Sequence, residues 1–191
     1  MRLLIAAGIC GLAWASGLRG FMAQVAGSES QVTWSGTFGW VLLPGLVGGV
    51  MLGWAEHLRR TGGRKGWRWL SLSPLVLASV LLPGLTDPAS FLADGIGGGA
   101  LAVPLFGMAG GYAISHRGPV GARALCGLLA LAPIPVWALV KVAEGAAFTA
   151  HQAWVAIYFW SLLAVLALGS SIPHGPVVAA TNSARREDLT V

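Results

Sequence analysis

An all-helical bundle embedded in a membrane is the fold class this sequence predicts, and three observations predict it. Only 10% of the 191 residues are charged, against 55% hydrophobic, whereas a soluble domain carries about 25% charged residues. The mean hydropathy is +0.73. Six stretches approach the ~20 apolar residues that a membrane helix needs. Such a composition excludes a disordered chain and an ordinary soluble enzyme. The 28 glycines follow no G-X-Y period, so collagen is excluded. Two cysteines cannot build a disulfide framework.

The expected spans cover residues 3–23, 36–55, 67–85, 95–115, 122–142 and 150–170. They use up most of the chain. One transmembrane domain over residues 1–171 is therefore expected, followed by a short cytoplasmic tail over residues 172–191. The tail is too short and too poor in apolar residues to fold alone, so it is expected to be disordered. An alternative concerns the start. Met1-Arg2, the apolar run after it and Ala13-Trp14-Ala15 have the pattern of a cleavable signal peptide. The apolar run continues to Met22, which favours a retained helix.

The span interiors carry packing signals. Ala7, Gly11 and Ala15 recur at i, i+4 in the first span, and Gly45, Gly49 and Gly53 do so in the second. Gly95, Gly99, Gly107 and Gly111 share a face of the fourth, and Ala122, Cys126 and Ala130 share one in the fifth. Small residues let helix backbones approach closely in lipid. Pro133 and Pro135 lie near the middle of the fifth span. They remove two backbone donors and clash with the preceding turn, which predicts a kink or break there. Carbonyls freed at such a break must be buried or face a wet cavity. Of the nine tryptophans, most are placed to mark the two membrane interfaces. Trp14 and Trp160 read as packing residues instead.

Orientation follows from Lys and Arg. The loop between spans two and three holds Arg59, Arg60, Arg64, Lys65 and Arg68. With Arg2, Arg117, Arg123, Arg185 and Arg186 they make ten of the 12 basic residues, all on one side of a six-span chain. Only Arg19 and Lys141 fall on the other, together with Glu29, Asp87, Asp94 and Glu144. The positive-inside rule then places both termini in the cytoplasm of a multi-pass protein of the plasma membrane. The high pI thus reports topology, and no nucleic-acid partner is expected. Five cations beside a helix end suit anionic lipid or a partner protein.

Ionisable groups at membrane depth are costly and become the candidate site. Arg19 continues the Ala7–Gly11–Ala15 face toward the outer end. It can snorkel to headgroups, form an internal salt bridge or bind an anion. Lys141 and Glu144 are spaced for an ion pair. His151 opens a face that continues through Trp154 and Tyr158. Asp87 and Asp94 sit where helix N-caps are expected. Convergence of Arg19, Asp94, Lys141, Glu144, His151 and Tyr158 would form an outward-facing polar pocket.

The sequence has no Gly-x-Ser-Gly, no His-Glu-x-x-His, no P-loop and no dinucleotide fingerprint. No cofactor, metal or catalytic residue is therefore expected. An intramembrane enzyme using His151 as base ranks last. The leading expectation is binding or translocation of a small anionic solute or anionic lipid near Arg19. The alternative is a non-catalytic accessory or scaffold subunit, with a homo-oligomer or another membrane protein as its partner.

Overall fold

The computed structural model describes residues 1–82, 96–143 and 149–177, without the side chains of residues 29, 96–98, 141 and 142. Among the described residues every regular element is helical, and no strand occurs. Helix α1 is Arg2–Ala26. A π-helical segment, Trp34–Leu42, runs directly into α2, Leu43–Arg60. A 3-10 helix, Trp67–Leu81, follows. Then come α3 (Ile96–Ile114), α4 (Val120–Leu131), α5 (Pro133–Ala143) and α6 (Ala150–Ser171), closed by a 3-10 turn at Ile172–His174.

Four rods are long and apolar enough to cross a membrane: Arg2–Ala26, Trp34–Arg60, Val120–Val140 and Ala150–His174. Two further apolar rods are shorter, Trp67–Leu81 and the Gly99–Ile114 part of α3. The third stretch therefore differs from an α-helical span. Its 15 residues wind as a 3-10 helix, which rises about 2.0 Å per residue and so reaches ~30 Å with fewer residues. Pro83, Asp87, Asp94, Gly95, Glu144 and the tail from residue 178 onward lie outside the described residues.

Helices α1 and α2 run antiparallel and meet at glycine. A Cβ placed on Gly11 would lie 2.8 Å from the Gly49 Cα, and one on Gly49 would lie 2.9 Å from the Gly11 Cα. Gly45 faces Ala15, and Gly53 faces Ala7 and Leu3. Two backbones in direct contact leave no room for a side chain, so the seam is built from residues that have almost none. The same device joins α3 to α6, which run parallel. Gly107 packs on Leu166, Gly110 on Ala167 and Gly111 on Ser170. Gly99, on the same sequence face, has no neighbour within 4 Å among the described residues.

Helix α6 links the two pairs. Its Leu162, Leu163 and Leu166 form the core with Leu18 of α1 and Val103 of α3. Trp14 Nε1 donates to the Leu162 carbonyl at 2.9 Å, which ties the apolar ring into the α1–α6 contact. Trp160 is 44% exposed and is not part of that core cluster among the described residues. The start of α6 is a capping box. Thr149 Oγ1 accepts from Gln152 N at 3.3 Å, and Gln152 Oε1 accepts from Thr149 N at 3.0 Å, so two end donors are satisfied reciprocally.

The α4–α5 rod is divided at Ala132. Pro133 has no N–H for the Leu129 carbonyl, and the Ala132 N–H takes that carbonyl at 3.2 Å instead. Leucines 125, 128 and 139 of this rod point away from the bundle.

Gly49→Leu is expected to force α1 and α2 apart. Overpacking of this kind costs about 1–3 kcal/mol. Gly121→Leu places the same side chain where no atom of the described residues lies within 4 Å. Thermal unfolding in detergent should show a lowered midpoint for the first variant and an unchanged one for the second.

Candidate functional site

The ionisable side chains gather at the two ends of the bundle. At one end stands Arg19. The face that carries Ala7, Gly11 and Ala15 against α2 continues to Arg19, and there it meets the π-helical segment that leads into α2. Arg19 Nε donates to Thr37 Oγ1 at 3.3 Å, and Nη1 donates to Ser30 Oγ at 3.0 Å. Nη2 donates to the Gln31 carbonyl. Thr37 is 7% exposed, while Arg19 is half-buried. Three of the five guanidinium N–H groups are thus used on neutral oxygens of the chain's own connection. Thr33 caps that connection by accepting from Gly36 N at 3.1 Å.

Tyr158 lies one face away. Its hydroxyl donates to the Gly17 carbonyl at 2.6 Å. Its ring meets Phe21 edge-on at 6.2 Å and stacks on Trp154 at 6.0 Å. A Cβ on Gly20 would lie 2.9 Å from the hydroxyl, so the tyrosine is seated directly on the α1 backbone. Among the described residues Tyr158 therefore joins α6 to α1, and its hydroxyl faces Gly17 and Gly20 rather than Arg19. His151 is exposed in the first turn of α6. The position of Lys141 falls in α5. Asp94 and Glu144 are outside the described residues.

The opposite end is strongly cationic. The antiparallel α1–α2 pair, the C-termini of α3 and α6 and the starts of the 3-10 helix and α4 all meet there. Glu56 holds two of the cations. Arg59 Nε donates to its Oε2 at 2.6 Å and Arg59 Nη2 to its Oε1 at 2.9 Å. Arg60 Nε donates to the same Oε1. The i, i+3 and i, i+4 spacing of Glu56 to Arg59 and Arg60 announces these pairs in the sequence, although a count of cations alone passes over them. Arg123 Nε donates to the Ala113 carbonyl at 3.1 Å, and Arg123 Nη2 lies 3.2 Å from His116 Nδ1. The His174 ring meets Tyr112 edge-on at 5.7 Å, within electrostatic reach of Arg68 and Arg117.

Arg64, Lys65 and Arg68 line an open depression of about 520 Å³ with Trp67, Trp69, Ser71 and Leu72. Trp67 is buried and anchors the start of the 3-10 helix, while Trp69 is 75% exposed. No carboxylate lines this depression among the described residues. Gly62, Gly63 and Gly66 carry the chain into it with positive φ of 102°, 74° and 81°, a backbone region open to glycine.

Among the described residues no group of three or more His, Cys, Asp or Glu side chains is placed to hold a metal ion. No family model matches the chain, and no curated protein or solved structure matches it. The functional reading therefore rests on the residues themselves.

Arg19→Gln should release the Ser30–Thr37 connection. Hydrogen bonds to a charged group contribute about 1.5–3 kcal/mol each. Faster amide exchange at residues 30–37, with the α1–α2 seam still protected, is the expected outcome. Unchanged exchange there would remove Arg19 as the clamp. Tyr158→Phe keeps the ring and deletes one neutral bond, so it should lower stability by about 0.5–1.5 kcal/mol, read by thermal unfolding in detergent.

Proposed function

We propose that the protein is an integral membrane protein of six spans that recognises anionic headgroups at its basic end. The observation that carries this reading is the depression lined by Arg64, Lys65 and Arg68 beside an exposed Trp69, with no carboxylate on its described rim. Four rods have the length and apolarity of a span. The ~30 Å reach of the 3-10 helix and the parallel run of α3 beside α6 support two more. Arginine and lysine present donors to phosphate oxygens, and tryptophan suits the headgroup level of a bilayer. Glu56 offsets Arg59 and Arg60, so the cations left to act on a ligand are those of the following turn. The positive-inside rule makes this end cytoplasmic.

A second reading keeps a small anionic solute at Arg19. It is favoured by the half-buried guanidinium, whose three partners are neutral oxygens. The first reading is preferred because three of the five Arg19 donors already hold the chain's own connection.

Each cation near an anionic membrane surface contributes about 1 kcal/mol. Replacing Arg64, Lys65 and Arg68 together by Gln should thus weaken binding by about 3 kcal/mol, roughly a hundredfold. Native mass spectrometry of the detergent-purified protein with phosphatidylglycerol and phosphatidylcholine reads this directly. Wild type should retain phosphatidylglycerol selectively, and the triple variant should lose the selectivity. An equal preference in both proteins would overturn the headgroup reading. A second polypeptide copurifying with both would move the weight to an accessory subunit, and Arg19→Gln in the same assay decides the second reading.

A further inference from the structure

An elongated cavity of about 240 Å³ lies inside the cage formed by α1, α2, the 3-10 helix and α6. Along α1 its walls run from Leu3 to Trp14, about 16 Å at 1.5 Å per residue. Glycine, leucine and proline supply most of the rest. Among the described residues Glu56 is the one carboxylate on its wall, with the Cys10 thiol the other ionisable group, and the carboxylate is already taken by Arg59 and Arg60.

Three properties bear on what fills this space. Water needs two to four polar partners to occupy a cavity, and this wall offers almost none. The cavity is half-open, and at membrane depth the solvent that reaches it is hydrocarbon. For size, an apolar cavity of about 150 Å³ takes a benzene ring, so this one has room for roughly ten carbon atoms. Its Glu56 end is also the cationic end of the bundle. Ile172 lines the cavity, and the turn that follows places Gly175 against Arg59 and His174 within electrostatic reach of Arg68 and Arg117. An apolar slot under a cationic rim complements an amphiphile with an anionic head.

We infer that this cavity receives one acyl chain of an anionic lipid, so that the protein holds the lipid by its tail inside the bundle and by its head at the basic rim. The inference rests on the headgroup reading above and adds the tail as a second recognised part. Gly48 is the position that tests it. A Cβ there meets only the Ser73 carbonyl, at 3.8 Å, so a larger side chain can extend into the slot without parting α1 from α2.

The probe is phosphatidylglycerol carrying a diazirine within one acyl chain, added at one equivalent to the detergent-purified protein. Photolysis of wild type should yield adducts on cavity residues such as Leu52, Leu77 and Leu166. Adducts confined to outward-facing residues such as Leu125, Leu128 and Leu139 would overturn the proposal, and this arm needs no variant to fold. Gly48→Leu should retain at least tenfold less of the lipid by native mass spectrometry, whereas Gly121→Leu should match wild type. Should the Arg64, Lys65 and Arg68 variant lose the lipid while Gly48→Leu keeps it, the slot is refuted and the headgroup reading stands. The converse pattern upholds the slot and refutes the reading that the basic turn selects the head.

Discussion

The direct contact of α1 and α2 at Gly11, Gly45 and Gly49 is the constraint from which the described features follow. In lipid there is little hydrophobic drive to bring two helices together, so close packing and hydrogen bonds must supply the association. Glycine permits that packing by bringing backbone onto backbone. Once the two helices are aligned along this seam, the same i, i+4 face continues beyond it. It delivers Arg19 onto Thr37 at one end and brings the start of α1 level with Glu56 at the other. Helix α6 then closes over the pair through Trp14, Leu18 and Tyr158. A single leucine in the seam would move all of these together, because packed helices shift as units.

The ends of the bundle divide the electrostatic work. Arg19 is surrounded by neutral oxygen atoms that close a loop, an arrangement suited to holding a charged side chain where water is scarce. At the other end the cations outnumber the described carboxylate, and Glu56 balances only part of that charge. The difference matters because three of the Arg19 donors are used within the chain, whereas Arg64, Lys65 and Arg68 make no ion pair with a described carboxylate. The exposed Trp69 beside them adds a ring suited to the boundary between headgroup and hydrocarbon.

Close packing at the α1–α2 seam also explains why space is left beside it. Two helices drawn together on glycine present smooth surfaces, and the proline-bearing 3-10 helix and α6 cannot fill the channel between them with the short side chains available. The result is a narrow apolar slot with its charged groups at one end. That geometry connects the packing of the bundle with the chemistry of its basic rim, and the proposed lipid site draws on both.

Much of this was legible in the residues. Low charge and long apolar runs pointed to an all-helical chain with helices long and apolar enough to cross a membrane, and four such helices are present among the described residues. The i, i+4 small residues marked which faces of α1 and α2 could meet, Pro133 and Pro135 marked where the fifth rod is interrupted, and Glu56 with Arg59 and Arg60 shows an ion-pair spacing. What the sequence could not decide was who faces whom. Arg19 has the same local sequence whether it snorkels, forms an internal salt bridge or binds an anion. The approach of Ser30, Gln31 and Thr37, which accept three of its N–H groups, belongs to the tertiary structure. Tyr158 shares a face with His151, yet its hydroxyl turns to Gly17, because the tertiary contact of α6 with α1 offers a part-buried carbonyl there. The 3-10 winding of Trp67–Leu81 and the slot between four rods likewise belong to tertiary structure alone. Periodicity along one chain specifies a face, whereas a cavity or a clamp is a relation between faces that are distant in sequence.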